Sequence, residues 1–204
     1  LHKIESLVSF IDLHDLIYLK QVNKENHNIF FKGMYSKNIS KINTVTTLFK
    51  LLDKKGLLNK KKFEITIVKN IPQKAGIGGG SMNAASLINF FINKKILKLK
   101  KNELVELTSQ IGSDVILGVN PTNTVLSSNG NMKKYDKNIK FHTLVVKPSF
   151  GCSTKYIYSK IKSFSKPQFS FPKRKMFEMV HLKTLKNDLE KIAFKKYPKL
   201  KKIK

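Results

Sequence analysis

Between Pro72 and Ser86 the chain reads PQKAGIGGGSMNAAS, with four glycines in the five positions from 76 to 80. An alternating apolar run, KKFEITIVKN (61 to 70), precedes it, and a run of small and apolar residues follows. The first run reads as a strand with Phe63, Ile65 and Ile67 on one side. The second reads as a helix over 81 to 95, apolar around most of its circumference and therefore buried. A strand, then glycines, then a helix N-terminus is an anion-binding arrangement. The first-turn N–H groups lack intrahelical partners, the helix dipole adds partial positive charge, and glycine lets the backbone curl close to a phosphate. The plain structural alternative is a tight turn before a packed helix, although one glycine suffices for that.

Two common nucleotide loops do not fit. No Gly-Lys-Ser/Thr closes the turn, and Lys74 precedes the glycines, so this is not a Walker A loop. Gly76-x-Gly78 starts a dinucleotide fingerprint, but Ser81 stands where the third glycine belongs, and no acid follows about 20 residues on. Ser81 has two compatible readings, a helix N-cap and a ligand for a phosphate or a metal. Asp114 lies in IGSDVILGV, a mainly apolar setting where a carboxylate needs a partner or a job. By pattern alone it reads as a turn-forming residue. Lys69, just before the loop, reads equally as a solvated lysine or as a lining of the adenine side of a nucleotide site. Cys152 reads as a small buried residue, because no histidine pairs with it in the sequence. His14, His27, His142 and His181 lack metal-ligand spacing.

The elements that must carry these residues alternate between strands and helices. LVSFIDLHDLIYLKQV (7 to 22) reads as strands, and SKINTVTTLFKLLDKKG (40 to 56) as a helix with Leu48, Leu51 and Leu52 on one face and Gly56 at its stop. KNELVELTSQIG (101 to 112) reads as a helix capped by Asn102 and ended by Gly112. A strand is expected over 142 to 149, a loop over 163 to 175, and a helix from 187 with Asn187 or Asp188 as its cap. No internal repeat is visible. A change of domain is expected near residue 145.

The 204 residues suffice for a real core, and no apolar run approaches the length of a membrane span. The start is neither Met nor a signal peptide, and a single cysteine excludes an internal disulfide. The single cysteine suits a reducing cytoplasm, and the start suits a fragment of a longer protein. The net charge of +27 invites a nucleic-acid reading. Against it, 39 of the 40 basic residues are lysine, Arg174 is the sole arginine, and bidentate recognition favours arginine. The lysines are also spread along the chain. A solvated lysine surface is the favoured reading, with a basic nucleic-acid-binding module kept as the alternative from another class.

A third nucleotide loop does fit. Pro72 to Ser86 resembles the phosphate loop of the GHMP kinases, in which a Pro, a few residues, Gly-Leu-Gly and a Ser precede a helix of small residues. The GGGS form resembles the branch that phosphorylates a cytidyl substrate in the non-mevalonate route to isoprenoid precursors. LHKIESLVSFIDLHD, QIGSDVILGV, VVKPSFGCSTKYIYSKI and KNDLEKIA are similar to further segments of that branch, in the same order. The resemblance implies an ATP-dependent small-molecule kinase of α+β class. Its two domains would be a ribosomal-protein-S5-like ATP-binding domain (1 to 145) and the start of a ferredoxin-like domain (146 to 204).

The resemblance also implies that Pro72, Gln73, Lys74, Ala75, Gly76, Ile77, Gly78, Gly79, Gly80, Ser81 and Met82 wrap the triphosphate of ATP, with Mg2+. Asp114 would be the catalytic base, and His2 and Tyr158 would hold the cytidine end, ordinary packing being the alternative for both. No metal-ligating side-chain set, membrane or dedicated nucleic-acid partner is expected, and the partner is a small-molecule substrate. Another GHMP kinase with a different alcohol is the nearer alternative. A lysine-bearing N-terminal strand and a later glycine-rich segment of the family pattern are missing. The expectation is therefore a chain truncated at both ends, with little or no activity. Leu1 stands where the family has Tyr, and Met82 replaces a small or hydroxyl residue.

Overall fold

The computed structural model describes residues 4–73, 75–135 and 142–203. In chain order the elements are β1 (Ser6–Val8), β2 (Leu16–Val22), β3 (Asn28–Lys32), α1 (Thr44–Lys54), β4 (Lys62–Val68), α2 (Gly79–Asn93), α3 (Lys101–Ile111), α4 (Val115–Gly118), β5 (Asn123–Leu126), β6 (Met132–Tyr135), α5 (Thr154–Ser159), α6 (Met179–Leu182) and α7 (Glu190–Lys196). Short 3-10 turns cover Arg174–Phe177 and Pro198–Lys202. The mixture is α+β, as expected. The chain divides into two compact units, 11–121 and 1–10 with 122–204. The expected change near 145 falls inside the second of these.

In the unit 11–121, three strands form a sheet of order β2-β4-β3, with β2 antiparallel and β3 parallel to β4. The parallel pair is joined through α1, the crossover that parallel strands require. Register sets Ile17 opposite Ile67 and Leu19 opposite Ile65, with Ile29 and Phe31 opposite the same two residues on the other side. Alternation therefore puts one apolar stripe on one face of the sheet. Against that stripe pack Val45, Leu48, Phe49 and Leu52 of α1 and Ala84, Ala85, Leu87, Ile88 and Phe91 of α2. Helix α1 starts at Thr44, not near 40, because Asn43 caps it. The Asn43 Oδ1 accepts from the N–H groups of Val45 (3.0 Å) and Thr46 (3.1 Å), while Thr46 Oγ1 accepts from Asn43 N–H at 2.9 Å. Such a reciprocal cap contributes about 1 kcal/mol. In α3 the first-turn acid is Glu103, which accepts from Lys100 N–H at 2.7 Å. Asn102 lies inside the helix and is not its cap.

The other unit holds an antiparallel sheet of order β1-β5-β6. Its small core is Val125, Phe169, Met176 and Phe177. The segment 163 to 175 is irregular until the 3-10 turn at 174, as expected, yet firmly tied. The Glu5 carboxylate accepts from the N–H groups of Ser128, Gln168 and Phe169, and Ser127 Oγ donates to Phe169 C=O at 2.8 Å. Residues 142 to 149 form no strand. Leu144, Val145 and Val146 are exposed, and a strand without a pairing partner has nothing to hold its backbone groups. Helix α7 starts at Glu190. Asn187 makes a local turn by accepting from Leu189 N–H, and Asp188 accepts from Ser165, so neither caps the helix.

Candidate functional site

Helix α2 begins at Gly79, two residues earlier than the sequence suggests. Gly78 precedes it with φ +70°, a left-handed conformation that glycine adopts freely. A Cβ on Gly79 would lie 2.8 Å from Ile71 Cγ2, so that position is bare for a different reason, close packing on the loop entrance. The Met82 N–H donates to Gly78 C=O at 2.9 Å and is the first amide inside the helix ladder. Among the described residues, nothing accepts from the amides of Gly79, Gly80 and Ser81. Ser81 is therefore the third residue of the first turn and not an N-cap.

These amides border a cavity of about 410 Å3. Pro72, Gln73, Ala75, Gly76, Ile77, Gly78, Gly79, Gly80 and Ser81 line it on one side, and Phe31, Ser40, Asn43 and Thr44 line it elsewhere. None of its described lining residues is acidic, and Lys69 is the basic one. The α1 end is tied to the loop by Thr44 Oγ1, which donates to Gly80 C=O at 2.6 Å. Gln73 Nε2 donates to the carbonyls of Tyr35 (3.0 Å) and Lys37 (2.7 Å), fixing the near side of the loop. Helix amides without acceptors and a lining without a carboxylate, both among the described residues, suit a polyphosphate.

Beneath the loop lies a residue that the sequence reading missed. The Asp15 side chain has no exposed surface. Its Oδ1 accepts from the N–H groups of Asn70 (2.8 Å) and Ile71 (2.9 Å), and its Oδ2 accepts from Asn83 Nδ2 (2.9 Å) and from the Lys69 ammonium. Burial alone would raise the Asp15 pKa. Lys69, the Ile71 N–H, Asn83 and the Asn70 N–H outweigh burial and hold it below the ordinary carboxylate range. Lys69 is consequently not a solvated lysine, being 5% exposed. The available signal was Asn83, a polar residue on the apolar side of a buried helix.

Asp114 is exposed, not sheltered in an apolar pocket, and accepts from Ser113 Oγ at 3.0 Å. Its apolar neighbours Val115 and Leu117 are the ones that turn inward. It follows Gly112, where a Cβ would lie 3.9 Å from Ser81 Oγ, so the α3–α4 turn abuts the first turn of α2. Met82 points its sulfur at Gly118, away from the cavity lining. Tyr158 is half-buried on α5, in the other unit. Cys152 is exposed rather than buried, in the irregular segment before α5. His2 and Lys74 lie outside the described residues. Among the described residues, no group of His, Cys, Asp and Glu could hold a metal ion, and no helix is long and apolar enough to cross a membrane.

Fold and loop together define a class. The GHMP kinases N terminal domain matches residues 43–128, from the cap of α1 to just beyond β5. Two 4-diphosphocytidyl-2-C-methyl-D-erythritol kinases are similar over the whole chain. That of Pelagibacter ubique (strain HTCC1062) is 64% identical, with 73% of its length covered. That of Clostridium botulinum (strain Hall) is 31% identical, with 74% covered. A crystal structure of 4-(cytidine 5'-diphospho)-2C-methyl-D-erythritol kinase superposes with a TM-score of 0.69 at 20% identity, over 98% of this chain and 71% of that one. The chain belongs to the 4-diphosphocytidyl-2-C-methyl-D-erythritol kinase family of GHMP kinases.

Proposed function

We infer that the chain transfers the γ-phosphoryl group of MgATP to the 2-hydroxyl of 4-diphosphocytidyl-2-C-methyl-D-erythritol, in the non-mevalonate route to isoprenoid precursors. The observation that carries the reading is the row of amides at Gly79, Gly80 and Ser81, without acceptors among the described residues, beside a cavity whose described lining has no carboxylate. Phosphoryl transfer asks mainly for positioning and for stabilised phosphate charge, which is what such a row supplies. In this reading Pro72 to Met82 wrap the phosphates, with Met82 contributing through the helix it continues. Lys74 belongs to the same loop.

Mg2+ enters as part of the nucleotide substrate. It favours phosphate oxygens and water over an all-protein cage, and the Ser81 hydroxyl would be the side chain to join it. Asp114 accepts the hydroxyl proton as the hydroxyl oxygen bonds to the γ-phosphorus, and ADP leaves with the β–γ bridging oxygen. Its exposure suits a base that must meet an incoming substrate. His2 and Tyr158 take the cytidine end, through a base-edge hydrogen bond and ring stacking. The reaction is cytoplasmic, with small molecules as its partners.

The test is ADP release from MgATP with 4-diphosphocytidyl-2-C-methyl-D-erythritol, with homoserine and mevalonate as controls. Turnover confined to the cytidyl substrate is expected. Turnover with a control alone would overturn the substrate while keeping the kinase.

A further inference from the structure

We propose that Asp15 is a positioning residue for the phosphate loop, its Oδ1 clamping the backbone at Asn70 and Ile71 so that the amides of Gly79 to Ser81 face the phosphates. The proposal rests on the kinase reading above. Asp15 lies just before β2, 54 to 68 residues away in sequence from everything it binds. Its two oxygens divide the work. Oδ1 takes the two backbone amides at the exit of β4, where the chain turns into the loop. Oδ2 takes Asn83, one turn into α2, and the Lys69 ammonium.

The loop is thus gripped at its entrance and through the helix that follows it. Ile71 is the hinge of this arrangement, because its side chain meets Gly79 at a distance that leaves no room for a Cβ. A shift of the Ile71 backbone is therefore transmitted to the first free amide of α2. Lys69 is closely paired with a carboxylate, so the pair is neutral and adds no net charge beside the amides of Gly79 to Ser81.

The two oxygens can be separated experimentally. Removing Asp15 alone leaves the Lys69 charge buried and unpaired, which endangers the fold. Double variants avoid this. Asp15→Asn/Lys69→Met keeps an amide oxygen for the Asn70 and Ile71 N–H groups and removes the orphan cation. Asp15→Ala/Lys69→Met removes the clamp as well. Binding of ATP and of AMP would be measured for both, at temperatures where thermal melts show each to be folded.

The expected result is ATP affinity about tenfold lower in the Ala variant than in the Asn variant, the scale of two lost hydrogen bonds, with AMP affinity equal in the two. A merely structural role would lower the melting temperature of the Ala variant and leave both affinities alone. Equal ATP affinity in the two variants, or equal losses for ATP and AMP, would overturn the proposal. An unaltered protein without saturable ATP binding would instead overturn the kinase reading, and this inference with it.

Discussion

Thr44 and Gly80 join the N-terminal ends of two helices: the Thr44 hydroxyl donates to the Gly80 carbonyl at 2.6 Å, at the rim of the candidate nucleotide cavity. The bond sets the distance between α1 and the free amides of α2. Thr44→Val keeps the side-chain shape and removes the donor. It is expected to cost about 1 kcal/mol in urea unfolding and to raise the KM for ATP more than it lowers kcat. An unchanged KM would show that α1 does not help place the loop.

Gly78 and Gly56 share a left-handed backbone, at φ +70° and +66°, with open space where a Cβ would go. Alanine at either is expected to cost about 1–2 kcal/mol through the same backbone strain. Only Gly78→Ala should also weaken ATP binding, since Gly56 ends α1 away from the loop. Gly79→Ala faces a different obstacle, its Cβ pressing on Ile71, and should lose about 1–3 kcal/mol by overpacking. Parallel melts and ATP titrations of the three variants check this, and ATP binding that follows stability alone would refute it.

Asp114 carries little of the fold through its side chain, which is exposed and accepts from the neighbouring Ser113 Oγ, while its backbone carbonyl accepts from Leu117 N–H. Asp114→Asn should therefore stay within about 0.5 kcal/mol of the unaltered protein. Turnover should nevertheless fall by about a hundredfold or more, with ATP binding kept. Retained turnover in a folded Asp114→Asn protein would remove it from the role of base.

Asp15 makes the acid limb of stability testable. Its folded pKa is depressed, so the stability it adds is complete above the unfolded value of about 3.9 and is lost as pH falls through the lower folded value. The stability gap between the unaltered protein and Asp15→Asn/Lys69→Met should be constant from about pH 5 to pH 8 and change below about pH 4. Asp53 is also held low, burial raising it less than Lys62 and His27 lower it, but it titrates alike in both proteins and cancels in the difference. Urea midpoints across this range decide, and a gap that ignores acid would contradict the ion pair.

Local pattern carried much of the architecture. The strand over β4, the helices α1, α2 and α3 and the irregular 163 to 175 follow from periodicity and breakers that act within a few residues. The differences have separate causes. The stretch 142 to 149 has strand-like composition, but a strand exists only through a partner. The start of α1 lies at Thr44 because the extended Asn43 caps it with its side chain, and α2 starts at Gly79 because the left-handed Gly78 turns the chain into the helix two residues before Ser81.

By itself the sequence determined the class of protein, because PQKAGIGGGSMNAAS is a contiguous motif whose chemistry is local: glycines free the backbone and a helix start supplies amides. It could not show what holds that motif in place. Asp15, Lys69 and Asn83 are far apart along the chain, and each looks ordinary there. Only the tertiary structure brings them into one buried cluster, where desolvation makes an ion pair and its hydrogen bonds matter. The same holds for Asp114, whose apolar neighbours in sequence turn inward while the carboxylate faces out.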